Sequence, residues 1–128
     1  MTRFVYKICK INEWVIAQKK GKFIGTKKDL SDGFIHFSKK NQVKSTLKKY
    51  FLNQANLILL KIDTVNLNDL IFEKSNDGNF FPHLYSYLNL NHVKKKLFNW
   101  VGKIIFFGYS TTTIGNKSCY KTRGLIDF

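Results

Sequence analysis

The segment Asn56 to Asp63, NLILLKID, constrains this chain more than any other, because it is an almost unbroken apolar run that begins and ends within strand length. A run of that length suits a strand covered on both faces. Phe4 to Lys10 (FVYKICK) supplies a neighbour, alternating Phe4, Tyr6 and Ile8 against Val5, Lys7 and Cys9. Asn12 offers an N-cap for a helix through Lys20, with Gly21 at C′ and Trp14, Val15 and Ala17 available to pack. The stretch KFIGTKKDLSDG reads as turns and leads into a strand, Gly33 to Ser38 (GFIHFS). Ser38 then caps a second helix, Lys39 to Leu52, whose apolar positions are Val43, Leu47, Tyr50 and Phe51. Leu70 to Glu73 (LIFE) and FFPHLYSYL read as further strands, with Pro82 marking an edge, a bend or a strand start. Lys103 to Tyr109 is the clear strand candidate of the remainder. Two helices among five to seven strands, with no repeat and no linker, predict one α+β domain.

Composition supports a packed core. Apolar residues make up 44% and aromatic residues 16% of the 128 positions, with a single Pro, which excludes disordered and fibrous classes. The start, MTRFVYKICKINEW, lacks a secretory pattern, and no 18-residue apolar stretch occurs, so the expectation is a soluble cytoplasmic protein with no membrane span. The net charge of +14 attracts anions. Yet Arg3 and Arg123 are the only Arg among 22 cationic residues, and the excess of Lys and Asn is the pattern expected of an AT-rich codon bias. Lys39, Lys40, Lys44, Lys48 and Lys49, with Tyr50 to stack, make a nucleic-acid-binding stripe one reading and a solvated helix face the other. Cys9 and Cys119 form no CxxC and have no zinc-ligand spacing with His36, His83 or His92, so free thiols and no metal are expected. His92 reads as a surface residue.

Chemistry gathers on two strands. Alternation in GFIHFS sets Phe34, His36 and Ser38 opposite Ile35 and Phe37, and in FPHLYSYL it sets Phe81, His83, Tyr85 and Tyr87 opposite Leu84, Ser86 and Leu88. If both polar-aromatic faces border one cleft, His36, Ser38, His83 and Tyr85 line it, as small-ligand sites require. Each His has a plainer role open to it, as a structural ring bonded to backbone. Glu73, at the end of an apolar strand, is the carboxylate candidate for ligand contact, whereas Asp29 and Asp32 in DLSDG suit Asx turns. GxSxG, P-loop, GxGxxG and HExxH patterns are absent, which excludes the familiar hydrolase, kinase and dehydrogenase readings.

The series YK at Tyr6, EW at Glu13, Gly25-Thr26, DGFIHFS from Asp32, QV at Gln42, KYF ending at Phe51, LLKID from Leu59, FE at Phe72 and FPHLY from Phe81 resembles the DUF952 family of small bacterial proteins. The resemblance runs from about Phe4 to Val93. That family is grouped with the ADP-ribosyltransferase-like fold, which implies a split, mostly antiparallel sheet with two main helices around a cleft for NAD or a related nucleotide. On this resemblance Tyr6 matches the first Tyr of a YHG strand, Lys7 stands where the catalytic His would be, and His36 stands for the nicotinamide-stacking Tyr. The tRNA 2′-phosphotransferases of the same superfamily carry HLS where His36-Phe37-Ser38 stands here. The late catalytic Glu has no match, and His83 lies in its place. The implied function is binding of a nucleotide or ribose-containing ligand by Tyr6, Lys7, Thr26, Asp32, His36, Ser38, Gln42, Glu73, His83 and Tyr85. An NAD-dependent ADP-ribosyl or 2′-phosphate transferase and a lysine-rich nucleic-acid binder are the alternatives. Residues 1–93 are the family-like core, and 94–128 are a divergent strand and tail completing the same domain.

Overall fold

The apolar run forms an inner strand of the largest sheet. A computed structural model describes residues 3–100 and 103–106, with side chains described for 3–98. In chain order the elements are β1 (Phe4–Lys10), α1 (Ile11–Lys20), β2 (Lys22–Phe23), α2 (Lys27–Asp32), β3 (Ile35–His36), α3 (Val43–Tyr50), β4 (Leu57–Asp63), β5 (Leu70–Lys74), β6 (Phe80–Leu84), β7 (Leu88–Asn89), β8 (Val93–Trp100) and β9 (Lys103–Phe106). They make three sheets ordered β1-β4-β8-β9, β2-β7 and β3-β6-β5, and every described pairing between strands is antiparallel. The protein is thus a mixed α and β fold with mostly antiparallel sheet and short helices. Among the described residues no helix is long and apolar enough to cross a membrane.

Alternation along β1 divides the interior in two. Val5 and Cys9 join Trp14, Ala17, Phe23, Ile35, Phe37, Ile58, Leu60, Ile62, Leu84 and Leu88 in one core. Tyr6 and Ile8 join Val43, Leu57, Leu59 and Leu97 in the other, roofed by Leu47 and Phe51 of the α3 segment. Because β4 feeds both cores from successive side chains, its apolar run is continuous rather than alternating.

Several expectations are corrected. Helix α1 begins at Ile11, and the Glu13 carboxylate accepts the Lys10 amide at 2.8 Å, so a side chain reaching back from the first turn replaces the Asn12 cap. Val15 is exposed, while Trp14 and Ala17 face the core. The turn-like KFIGTKKDLSDG contains β2 and α2, the latter opened by a Thr26/Asp29 capping box whose T-x-x-D signature is in the sequence. The second helix starts at Val43 after a 3-10 turn over Lys40–Gln42, and the Gln42 side-chain Oε1 accepts the Lys39 amide at 2.9 Å, so Ser38 is not its cap. Tyr50 points to solvent. Pro82 lies in the middle strand of its sheet. Its carbonyl accepts from Phe37 just past the end of β3, so the missing N–H falls on the side where the ladder has already stopped. Strand β8 was not anticipated, because VKKKLFNW mixes a lysine run with its apolar positions, yet it pairs with β4 along its length. His92 is half-buried and bonded to the Asp63 carbonyl at 3.0 Å. The end of the expected Lys103–Tyr109 strand, Cys119 and the tail beyond Phe106 lie outside the described residues.

Candidate functional site

Strands β3, β6 and β5 build the site through their register. Ile35 pairs with Leu84 and His36 with His83, while Ile71 pairs with His83 and Glu73 with Phe81. Paired residues share a face, so burial of Ile35 and Leu84 in the core turns His36, His83 and Glu73 outward together. Phe34 stacks on His83 with centroids 4.1 Å apart and an interplanar angle of 27°. His36 and Tyr85 approach the same Phe34 ring at 4.6 and 5.2 Å, and the two imidazoles meet edge to face at 5.4 Å. The result is a partly exposed platform of four rings.

A buried ionic network fixes one side of it. Lys7 projects from β1 toward α2, where its Nζ lies 2.7 Å from Asp29 Oδ2 and donates to the His36 carbonyl at 2.9 Å. Their side chains are only 5% and 2% exposed, which makes this a charge pair with almost no water around it. Asp29 Oδ1 accepts His36 Nδ1–H at 2.6 Å and the His36 amide at 3.2 Å, and Oδ2 also accepts the Thr26 amide at 2.9 Å. Burial opposes ionisation of Asp29, but the His36 hydrogen bond and the Lys7 charge outweigh it and hold the carboxyl well below the ordinary range. On the outer side His36 Nε2 lies 3.0 Å from Asp32 Oδ2, which is itself bridged to Lys28 at 3.2 Å. Both ring nitrogens of His36 therefore face carboxylates, and both donate at once only when the ring carries two protons.

The other imidazole is held differently. Glu73 Oε1 accepts from Tyr85 Oη–H and His83 Nδ1–H, each at 2.7 Å. Those bonds, Tyr85 first, hold the Glu73 carboxyl below its usual range, and the same contact pushes the Tyr85 phenol up. A proton on Nδ1 leaves Nε2 of the neutral His83 ring as an acceptor. The site can thus stack a planar group on its rings and offer ring nitrogens, a phenol and carboxylates to polar atoms. Among the described residues no group of three His, Cys, Asp or Glu is arranged to hold a metal ion.

Of the residues singled out from sequence, Lys7, Asp32, His36, Glu73, His83 and Tyr85 come together, with Thr26 behind them as the cap that positions Asp29. Tyr6, Ser38 and Gln42 do not. Tyr6 is buried in the α3 core, on the opposite face of β1 from Lys7. Ser38 leaves the His36 face to bridge Tyr6, and its Oγ lies 3.4 Å from Thr46 Oγ1. Gln42 donates to the Phe80 carbonyl at 2.9 Å and ties the 3-10 turn to β6. Tyr87 stands apart, with Lys22 Nζ 4.6 Å from its ring centre. Asp29 was missed as a site residue. An acid in a polar turn looks ordinary until the fold buries it; the T-x-x-D spacing signals its cap but not its burial.

Three solved structures of one protein match this chain. The crystal structure of CC0527 from Caulobacter crescentus, a structural-genomics target, is 42% identical with a TM-score of 0.70, covering 73% of this chain and 85% of that one. A double mutant of the same protein matches at 41% identity and a TM-score of 0.70. Its solution structure matches at 42% identity and 0.65, over 73% and 81% of the two chains. No curated protein matches. The family model described as a protein of unknown function, DUF952, matches residues 8–96, a span from β1 into β8 that takes in the whole ring platform. On that match and on 42% identity to CC0527, the chain belongs to the DUF952 family.

Proposed function

We propose that this protein binds a nucleotide or another ribose-containing ligand on the platform of Phe34, His36, His83 and Tyr85, in a cleft of ADP-ribosyltransferase-like type. The observation that carries the reading is the buried Lys7–Asp29 pair beneath a partly exposed imidazole. Desolvating two charges offsets most of their attraction, so such a pair is a poor device for stability alone, and an apolar pair of similar volume would serve the core as well. Its use here is to hold His36 in one orientation against the rings. The rings supply faces for a base, and the ring nitrogens and phenol supply partners for ribose or phosphate oxygens.

Binding is favoured over transferase turnover. Stabilising an oxocarbenium-like ribose requires negative charge, which an imidazole at His83 does not provide. Glu73 stands beside it on the neighbouring strand, but its Oε1 already accepts from two donors. Thermal shift with NAD, ADP-ribose and nucleoside phosphates tests the reading. At least one of them raises the Tm, and His36→Ala and His83→Ala abolish the rise. No rise with any of them overturns it. Nicotinamide release from NAD that disappears in Glu73→Gln or His83→Ala would instead make the protein an enzyme.

A further inference from the structure

A second polar feature crosses the large sheet on the face away from Lys7. Ser38 bridges Tyr6, Tyr6 pairs with Lys61 across β1 and β4, and Lys61 pairs with Lys95 across β4 and β8. Paired residues of an antiparallel ladder project to the same face. That face is packed with Ile8, Leu57, Leu59 and Leu97 under α3, and beyond Leu59 and Leu97 its next residues are Lys61 and Lys95. Immediately after Lys61 the register shifts, so Lys94 stands as an extra residue beside Lys95.

Lys61 is the one cation of β4, and it is half-buried, with Nζ 4.3 Å from the centre of the Phe4 ring. Burial first, then the charges of Lys95 and Lys40, push its ammonium toward losing its proton. Among the described residues neither Lys61 nor Lys40 has a carboxylate within 4.0 Å. Like charges directly opposite each other destabilise a ladder, and desolvation adds to that cost. A codon bias toward Lys accumulates lysines where they cost nothing; the middle of a buried strand opposite another lysine is not such a place.

We propose that Lys61 and Lys95 bind a phosphate group on this face, at a site separate from the ring platform. Phosphate supplies concentrated negative charge and several acceptor oxygens for ammonium groups carried side by side on two strands. The same group occurs in free polyphosphates and in the backbone of single-stranded RNA.

The test compares Tm in sodium triphosphate and in sodium chloride at equal ionic strength, for wild type and for Lys61→Met, which keeps the apolar stem and removes the charge. Triphosphate is expected to raise the wild-type Tm by about 4 °C more than chloride does. Lys61→Met has a higher Tm than wild type without anion and loses most of the triphosphate effect. Lys95→Gln, at an exposed position, loses it as well and serves if Lys61→Met fails to fold. His83→Ala retains it, which separates this site from the ligand platform. In a second arm, a single-stranded hexariboadenylate that stabilises wild type at lower concentration than triphosphate, with the same loss in the lysine variants, assigns the site to RNA backbone. A response to triphosphate alone assigns it to a free phosphate. Equal effects of triphosphate and chloride, or equal responses of wild type and both lysine variants, overturn the proposal.

Discussion

Asp29 carries a buried charge held by Lys7, His36 and the Thr26 amide. Replacing it with Asn leaves the Lys7 ammonium buried opposite a neutral group, so Asp29→Asn is expected to cost about 3–5 kcal/mol in urea unfolding. Lys7→Met combined with Asp29→Asn recovers part of that loss, since no uncompensated charge then remains. The pH dependence has a definite sign. With its folded pKa depressed, Asp29 binds fewer protons in the native than in the unfolded state. Its contribution is therefore present in full above the ordinary carboxylate pKa of about 4 and is lost as the medium is acidified below it. Stability of the wild type falls through that acid window, and the Asp29→Asn curve is flatter there. Gly25 is bound to the same residue. It has φ of +116°, and a Cβ built on it would stand 2.7 Å from Asp29 Cβ. Gly25→Ala is expected to destabilise by about 1–3 kcal/mol and to displace the carboxylate, read by urea unfolding and by loss of ligand response.

At the level of elements, the strand that feeds two cores is the least tolerant. Leu59 is fully buried between β1, β8 and α3, whereas Val15 on α1 is 39% exposed. Leu59→Ala is expected to cost about 2–5 kcal/mol, and Val15→Ala to stay within about 0.5 kcal/mol, both by chemical denaturation. A comparable loss at the two positions would mean that α1 packs on its outer face as well. The contrast was only half visible beforehand: periodicity marks Val15 and Leu59 alike as apolar, and a ten-residue helix closing on Gly21 exposes one side once its other side meets the sheet.

The whole molecule carries +14, and among the described residues the exposed or half-exposed pairs of Lys or Arg with a carboxylate are Arg3–Asp63 and Lys28–Asp32. Self-repulsion should therefore outweigh surface attraction, and raising NaCl from about 0.02 M to about 0.2 M is expected to raise Tm as the screening length shrinks. A fall in Tm over that range would show that the pairs dominate. Much of this fold was legible from local signals. The run LILLKID, the alternation of FVYKICK and the positive-φ Gly21 are properties of neighbouring residues, which is why the strands at Phe4–Lys10 and Leu57–Asp63 and the end of α1 follow from sequence. The outward faces of His36 and His83 were legible as well, because period-two alternation fixes a face once one side is apolar, but their pairing across β3 and β6 came from the fold. Strand β8 was not, since its lysines hide a pattern that only pairing with β4 makes sense of. The sequence by itself thus determined that Phe4–Lys10 and Leu57–Asp63 extend, that α1 ends at Gly21 and that His36 and His83 leave the apolar faces of their strands. Only the tertiary structure decided that Asp29 is buried on Lys7, that Tyr6 and Ser38 turn away from the imidazoles, and that Lys61 meets Lys95. Those outcomes depend on segments about 20 to 60 positions apart being brought together, and burial, which sets the strength of every charge involved, exists only after that closure.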